Sequence, residues 1–441
     1  MLTIRNLKHV PVLLMSLALG CTSHTPPVNQ ELSTSKSASD YTLQKYLQRP
    51  NHMIVMLSFS GGGSRAAALS YGVLEALEQT QIQIDDQSIS LIDEVDVVSA
   101  VSGGSFTAAY LGLYGHDKLE QYRQDFLYQE VSHDIASHFL SPFRWVVPKN
   151  LTADATNYYQ DHIFGDATFS DIDNTQSPYV IINASDITTR TRFSFTPEYF
   201  DLLCSNVDNY PISSAVMASS AVPVLFPPVV LENYPTCETT AIPLELINHG
   251  SPNRSQQFVD SLDSYSSKKK NQYIHLVDGG ITDNLGLLAI YELMEHYEAE
   301  QILNASNSSS SSIPFVIISV DASTSPELGL GRHYEAPSIK DTLDAVTDIQ
   351  LHRYNDSTKD LILDSMHKWS HEGSTKHKVI KPYFIEISVQ NAQDAKLKAI
   401  MNEIPTDFTL ERESIDIMIT EGRQQLLNHS EFQAMILQHT Q

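Results

Sequence analysis

Short apolar runs alternate along the chain with segments of helical spacing, and glycine clusters mark several of the joints between them. Met53–Phe59 (MIVMLSF) has the continuous apolarity of a buried strand and ends in Ser60-Gly61-Gly62-Gly63. From Ala66 to Leu77, apolar Leu69, Val73, Leu74 and Leu77 recur at three- and four-residue steps, which predicts a helix. The same order repeats at Val95–Val98, a strand, then Ser102-Gly103-Gly104, then a small-residue helix from Phe106 to Leu113. Further strands are predicted at Tyr179–Ala184, Phe193–Thr196, Tyr273–Val277, Pro314–Asp321 and Tyr383–Val389. Helices are predicted at Leu285–Tyr297, Ile339–Trp369 and Arg412–Leu427, so the C-terminal part is mostly helical. Strands alternating with helices imply an α/β fold, with a mainly parallel central sheet and helices on both faces. Polar stretches near 237–272 and 304–312 read as loop insertions. No internal repeat and no break in composition divides residues 51–441, which are predicted to form one domain.

The N-terminus follows a different pattern. Arg5 and Lys8 precede the apolar run Val10–Gly20, which is too short to span a bilayer comfortably. A charged start, an apolar middle and a small residue at the end describe a secretory signal peptide over residues 1–20. Ala18-Leu19-Gly20-Cys21 resembles a bacterial lipobox, which would make Cys21 a lipidated N-terminus, although Ala18 and Leu19 stand in reversed order. The competing reading is an ordinary signal peptide that happens to contain a cysteine. Thr22, rather than Asp, follows the cysteine, and in lipoproteins that pattern implies the outer membrane. The expectation is a lipid-anchored protein of a bacterial cell envelope. Residues 21–50 are expected to be its flexible tether, Ser/Thr/Pro-rich as far as Asp40.

Composition narrows the choice of partners. With 41% hydrophobic residues the chain can build a sizeable core. Its 28 basic and 53 acidic residues leave a net charge of −25, which repels phosphate backbones and argues against nucleic-acid binding. The one basic run, Lys268-Lys269-Lys270, reads as a solvated loop. Three cysteines are too few for a disulfide scaffold or a Cys-based zinc cluster, and no His-Glu-x-x-His spacing suggests a metal. Apart from Cys21, Cys204 and Cys237 could pair in an exported protein or remain two free thiols.

Three places carry candidate chemistry. At Gly61, Gly62 and Gly63 backbone N–H groups can converge ahead of a helix N-terminus and hold a phosphate or an oxyanion. Gly61, Gly63 and Ala66 also fit a loose dinucleotide fingerprint, with Asp85 and Asp86 about 20 residues on after strand-like Ile82–Ile84. Ala100-Val101-Ser102-Gly103-Gly104, between a strand and a helix, is nearly the G-x-S-x-G turn that exposes a serine nucleophile. A plain Gly-Ser loop is the alternative. Asp278-Gly279-Gly280 ends a strand where α/β folds place sites, and Asp278 could accept the Ser102 proton or merely close an Asx-turn. His275 is on the same strand, but three residues away it faces the other side.

In order, SGGGSRA, AVSGG and DGG, with Ala215–Pro223 and Phe226-Pro227-Pro228 between the second and third, resemble the patatin-like phospholipase family and the cytosolic phospholipase A enzymes. The resemblance runs from about Asn51 to Asp321, and Ile404-Pro405-Thr406 onward is similar to the tail of bacterial patatin-like lipoproteins. It implies a three-layer patatin-like fold and a lipid acyl hydrolase of phospholipase A or lysophospholipase type. Ser102 matches the nucleophile and Asp278 the acid of a Ser–Asp dyad that works without histidine. Gly61, Gly62 and Gly63, joined by Gly103, match the oxyanion hole, and Arg65 matches a basic position that could meet the lipid phosphate. The implied substrate is a phospholipid or another lipid ester, with no cofactor required and the membrane reached through Cys21. Ala66 and Ala100 stand where the family has glycines. Rival readings are a monoacyl lipase or thioesterase on the same dyad, a non-catalytic lipid-binding lipoprotein, and a dinucleotide-binding oxidoreductase.

Overall fold

A computed structural model describes residues 26–32, 39–49, 52–84, 87–131, 150–173, 175–223, 225–237, 259–296, 312–326, 334, 336–375 and 378–439. The predicted signal peptide 1–20, Cys21, Asp85, Asp86 and most of the two polar insertions lie outside the described residues. The strands are β1 (Ile54–Phe59), β2 (Gln81–Ile84), β3 (Gln87–Ser90), β4 (Val95–Val101), β5 (Tyr179–Asp186), β6 (Thr191–Ser194), β7 (Val229–Glu232), β8 (Tyr273–Val277), β9 (Ser312–Asp321) and β10 (Val379–Ser388). Eight of them form one sheet in the order β10-β9-β1-β4-β5-β8-β7, with β6 paired to β5. The pairs from β10 to β5 are parallel, whereas β6, β7 and β8 pair antiparallel. Every residue of β1 and β4 is buried. Side chains alternate between the two sides of a strand, so both faces of the sheet centre are covered, as the unbroken apolar runs predict.

The helices that matter for the site are α1 (Gly63–Gln79), α2 (Gly103–Tyr114), α3 (Ile212–Ser219), α4 (Gly280–Asp283), α5 (Leu287–His296), α6 (Ile339–Gly373) and α7 (Arg412–Asn428). One group packs α1 against α2 and α7, and another packs α5 against α6. Where α1 meets α7, a Cβ on Gly72 would lie 2.1 Å from the Ile419 carbonyl oxygen, and one on Gly422 would lie 2.4 Å from that of Leu69. Hydrogen in place of a side chain lets the two backbones touch. Helix α7, near the end of the chain, is thereby part of the same core as α1.

Two sequence expectations need correction. Residues 21–50 are not a free tether throughout. Tyr41 and Tyr46 are buried in the core, and Tyr46 donates its hydroxyl to the Ile172 carbonyl at 2.9 Å. Asn29 pairs in both directions with the Glu232 backbone, at 2.9 Å each way. The Ser/Thr/Pro-rich composition ends at Asp40, and the anchoring tyrosines Tyr41 and Tyr46 follow it. Lys268 is not simply solvated: its ammonium donates to Asn233 Oδ1 and the Leu202 carbonyl, and partial burial lowers its pKa to about 8. Cys204 and Cys237 are joined in a disulfide. Among the described residues, no helix is long and apolar enough to cross a membrane.

Candidate active site

Ser102 sits between β4 and α2 with φ 49° and ψ −124°, a conformation that L-residues adopt only when the surroundings force it. The forcing is visible in its neighbours. A Cβ on Gly103 would lie 1.9 Å from the Gly63 carbonyl oxygen, and one on Gly104 2.7 Å from both Phe59 Cβ and the Ser60 carbonyl oxygen. The elbow is wedged against the end of β1, which explains the two glycines after the serine. Ala100 lies two residues earlier, in β4, opposite Phe59, and is fully buried.

The hydroxyl of Ser102 donates to Asp278 Oδ2 at 2.8 Å. Asp278 arrives from an unexpected direction. Its strand β8 runs antiparallel to β5 and overlaps it at only two pairs, Ser185 with Val277 and Asp186 with Leu276. The end of β8 therefore points back at the C-terminal edge of the parallel strands, beside Ser102. Asp278 Oδ1 accepts the Gly280 N–H at 2.8 Å, and a Cβ on Gly279 would lie 2.3 Å from the Asn183 carbonyl oxygen. Burial pushes the Asp278 carboxyl up to about 6, against the lowering effect of the Gly280 and Ser102 hydrogen bonds. That suits a general base working near neutrality. His275 is exposed and meets Thr188 Oγ1 at 3.4 Å; among the described residues no histidine bonds Ser102 or Asp278.

The glycine loop faces this pair. A Cβ on Gly61 would lie 3.4 Å from Ser102 Cβ. Gly62 and Gly63 have φ of 137° and 60°, which turn the backbone into the start of α1. Among the described residues the N–H groups of Gly62, Gly63 and Gly103 have no partner, and Gly63 and Gly103 each open a helix whose dipole adds positive potential. Gly61 departs from expectation, because its N–H already donates to the Asn284 carbonyl at 2.9 Å. It shapes the loop while its successors keep free donors. Asn284, which sequence reading passed over, is buried between the loop and Asp278-Gly279-Gly280, with Oδ1 2.8 Å from where a Gly61 Cβ would be. Its only signal was its place six residues after Asp278.

Arg65 also corrects an expectation. It is 3% exposed, with Nε donating to the Ala322 carbonyl at 2.9 Å and one Nη to Thr406 Oγ1 at 3.0 Å. Its other Nη donates to the Ile404 carbonyl. Together with Ser64, whose N–H and hydroxyl donate to the Asp407 and Phe408 carbonyls at 2.8 and 2.7 Å, it ties the glycine loop to residues 404–408. A guanidinium spent this way braces the loop rather than reaching out to a substrate phosphate. The dinucleotide reading also loses its geometry. Ile82–Ile84 belongs to β2, which among the described residues pairs with β3 alone, antiparallel and apart from the main sheet, and so does not lie beside β1 as a parallel strand. Among the described residues no group of three or more His, Cys, Asp or Glu could hold a metal ion.

A strained serine at a strand-to-helix turn, a buried carboxylate in contact with it and unpaired amides alongside are the parts of an acyl-transfer site on an α/β fold. The chain belongs to the patatin-like phospholipase family, whose model matches residues 57–291, just over half of the sequence. No curated protein sequence matches the chain. Among solved structures it is similar to human GIVD cytosolic phospholipase A2, at 13% identity and a TM-score of 0.43, over 90% of this chain and 64% of that one. It thus spans a little under two thirds of that protein's length. VipD from Legionella pneumophila is similar at 12% identity and a TM-score of 0.35, over 96% of this chain and 73% of that one.

Proposed function

We propose that the protein is a membrane-anchored acyl hydrolase that cleaves phospholipid or lysophospholipid esters with a Ser102–Asp278 dyad. The observation that carries the reading is the 2.8 Å hydrogen bond from the strained Ser102 to a carboxylate poised near pKa 6. Asp278 takes the hydroxyl proton as Ser102 Oγ attacks the ester carbonyl. The Gly62, Gly63 and Gly103 amides stabilise the resulting oxyanion, each worth about 3 kcal/mol where such donors have been removed. Collapse expels the alcohol, which receives the proton from Asp278, and leaves an acyl group on Ser102. Water, deprotonated by Asp278, then releases the fatty acid and restores the serine. Ile281 and Leu225, apolar and about half exposed, stand three residues after Asp278 and within the turn before Pro227, which favours an apolar substrate. The acyl chains on Cys21 would hold the enzyme at the outer membrane, beside its substrate.

The test is fatty-acid release from phospholipid vesicles by residues 22–441, compared with Ser102→Ala and Asp278→Asn. Turnover by the native sequence that falls at least about a thousandfold in both variants is expected. Absence of turnover together with absence of Ser102 labelling by a fluorophosphonate would overturn the hydrolase reading in favour of a lipid-binding lipoprotein. Head-group profiling on the active enzyme separates phospholipase from lysophospholipase and thioesterase.

A further inference from the structure

Three hydrogen bonds connect the two halves of the dyad through a segment that neither motif contains. Ser219, the last residue of α3, is fully buried, and its hydroxyl accepts the Ser102 backbone N–H at 2.7 Å while donating to the Asn183 carbonyl at 2.6 Å. The Ser219 carbonyl accepts the Gly279 N–H at 3.0 Å, and the Ala221 carbonyl accepts the Asp278 N–H at 2.9 Å. The nucleophile's backbone and the acid's backbone are thus held by the same three residues. We propose that Ser219 is a positioning residue for the dyad, and that residues 219–221 set the separation and angle between Ser102 Oγ and Asp278.

The chemistry favours a hydroxyl at this point. Ser102 must hold φ 49°, and an unpaired N–H there would be free to rotate the elbow toward a relaxed conformation. A serine can accept from that N–H and donate to Asn183 at once, whereas alanine leaves both buried groups without a partner. Asn183 is itself braced: its side-chain amide donates to Ser99 Oγ at 2.9 Å and its Oδ1 accepts from Arg192 at 2.8 Å. A strut anchored on such a network moves little, and small displacements of a nucleophile carry large rate penalties. The inference rests on the dyad reading above.

The experiment compares Ser219→Ala, Ser219→Cys and Ser213→Ala with the native enzyme, with rates normalised to active sites titrated by fluorophosphonate. Ser213 is a buried hydroxyl on the same helix that bonds nothing among the described residues, so its variant reports the general cost of trimming this helix. Ser219→Ala is expected to lower kcat by about 10- to 100-fold with KM unchanged, and Ser213→Ala to leave kcat within about twofold. Ser219→Cys retains a weaker donor in nearly the same volume and should fall between; it carries the test alone if the alanine variant does not fold. Native kcat per titrated site in the folded Ser219 variants, with only thermal stability reduced, would overturn the positioning role. An inactive native enzyme, or an active Ser102→Ala, would instead overturn the dyad reading itself.

Discussion

Asp278 is held where its charge is costly, and that has opposite consequences for activity and stability. With its carboxyl near 6, the proton acceptor is lost as pH falls through that value, so kcat/KM should decline below about pH 6 along a limb absent from Asp278→Asn. The raised pKa also means that, between the ordinary carboxylate value and about 6, the folded protein binds more protons than the unfolded chain. Stability from this group is therefore present at low pH and lost as pH rises through 6. Asp278→Asn can keep both bonds, with Oδ1 accepting from Gly280 and the amide donating to Ser102. It should unfold at higher urea than the native protein at pH 8, by on the order of 1–3 kcal/mol, while losing turnover. Arg65 makes the converse case. As a brace, Arg65→Lys should reduce turnover of a neutral short-chain ester and of a phospholipid by the same factor, since a single ammonium nitrogen cannot reach all three acceptors that the three guanidinium nitrogens span. A loss confined to the phospholipid would restore the phosphate-binding role.

Elements meet at backbone distance in this fold, and glycines decide where. The contact between α1 and α7 is the clearest case, because alanine at Gly72 would ordinarily strengthen a helix by about 1 kcal/mol. Here its Cβ would lie 2.1 Å from a backbone carbonyl oxygen that has no room to retreat. Gly72→Ala should therefore destabilise the protein by roughly 2–3 kcal/mol, seen as a lower thermal midpoint, with kcat of the folded fraction little changed. Gly63 has the same constraint against Asp407, whose carbonyl oxygen would be 2.4 Å from an added Cβ. The glycine loop is thus braced by a segment more than a hundred residues beyond the end of the family match.

At the scale of the molecule, the N-terminal segment is stitched to the far edge of the sheet. Leu32 donates its N–H to the carbonyl of disulfide-bonded Cys204 at 2.9 Å, and Asn29 pairs with β7. Removing the bridge by Cys204→Ala with Cys237→Ala should cost about 3–4 kcal/mol in urea unfolding, for a loop with a sequence separation of 33. A lipidated Cys21 would lie only eight residues before Asn29, a reach of about 28 Å at full extension. The β7 edge would then stay close to the bilayer.

The longer strands, the order of the motifs, Ser102, Asp278 and the glycine loop were legible in the sequence because their signals are local, whereas the four-residue strands β3 and β7 are too short to leave a pattern. Periodicity fixes element type within a dozen residues, and a serine before two glycines at a strand end carries its turn with it. What the glycines pack against, that Gly61 spends its amide on Asn284, and that Arg65 spends its guanidinium on residues 404–408 are pairings between distant segments. No local pattern encodes them. The antiparallel arrival of β8, which brings Asp278 to Ser102, and the Ser219 hydroxyl between their backbones belong to the same kind. Only the folded chain brings those donors and acceptors within hydrogen-bonding distance, and burial then raises the Asp278 pKa.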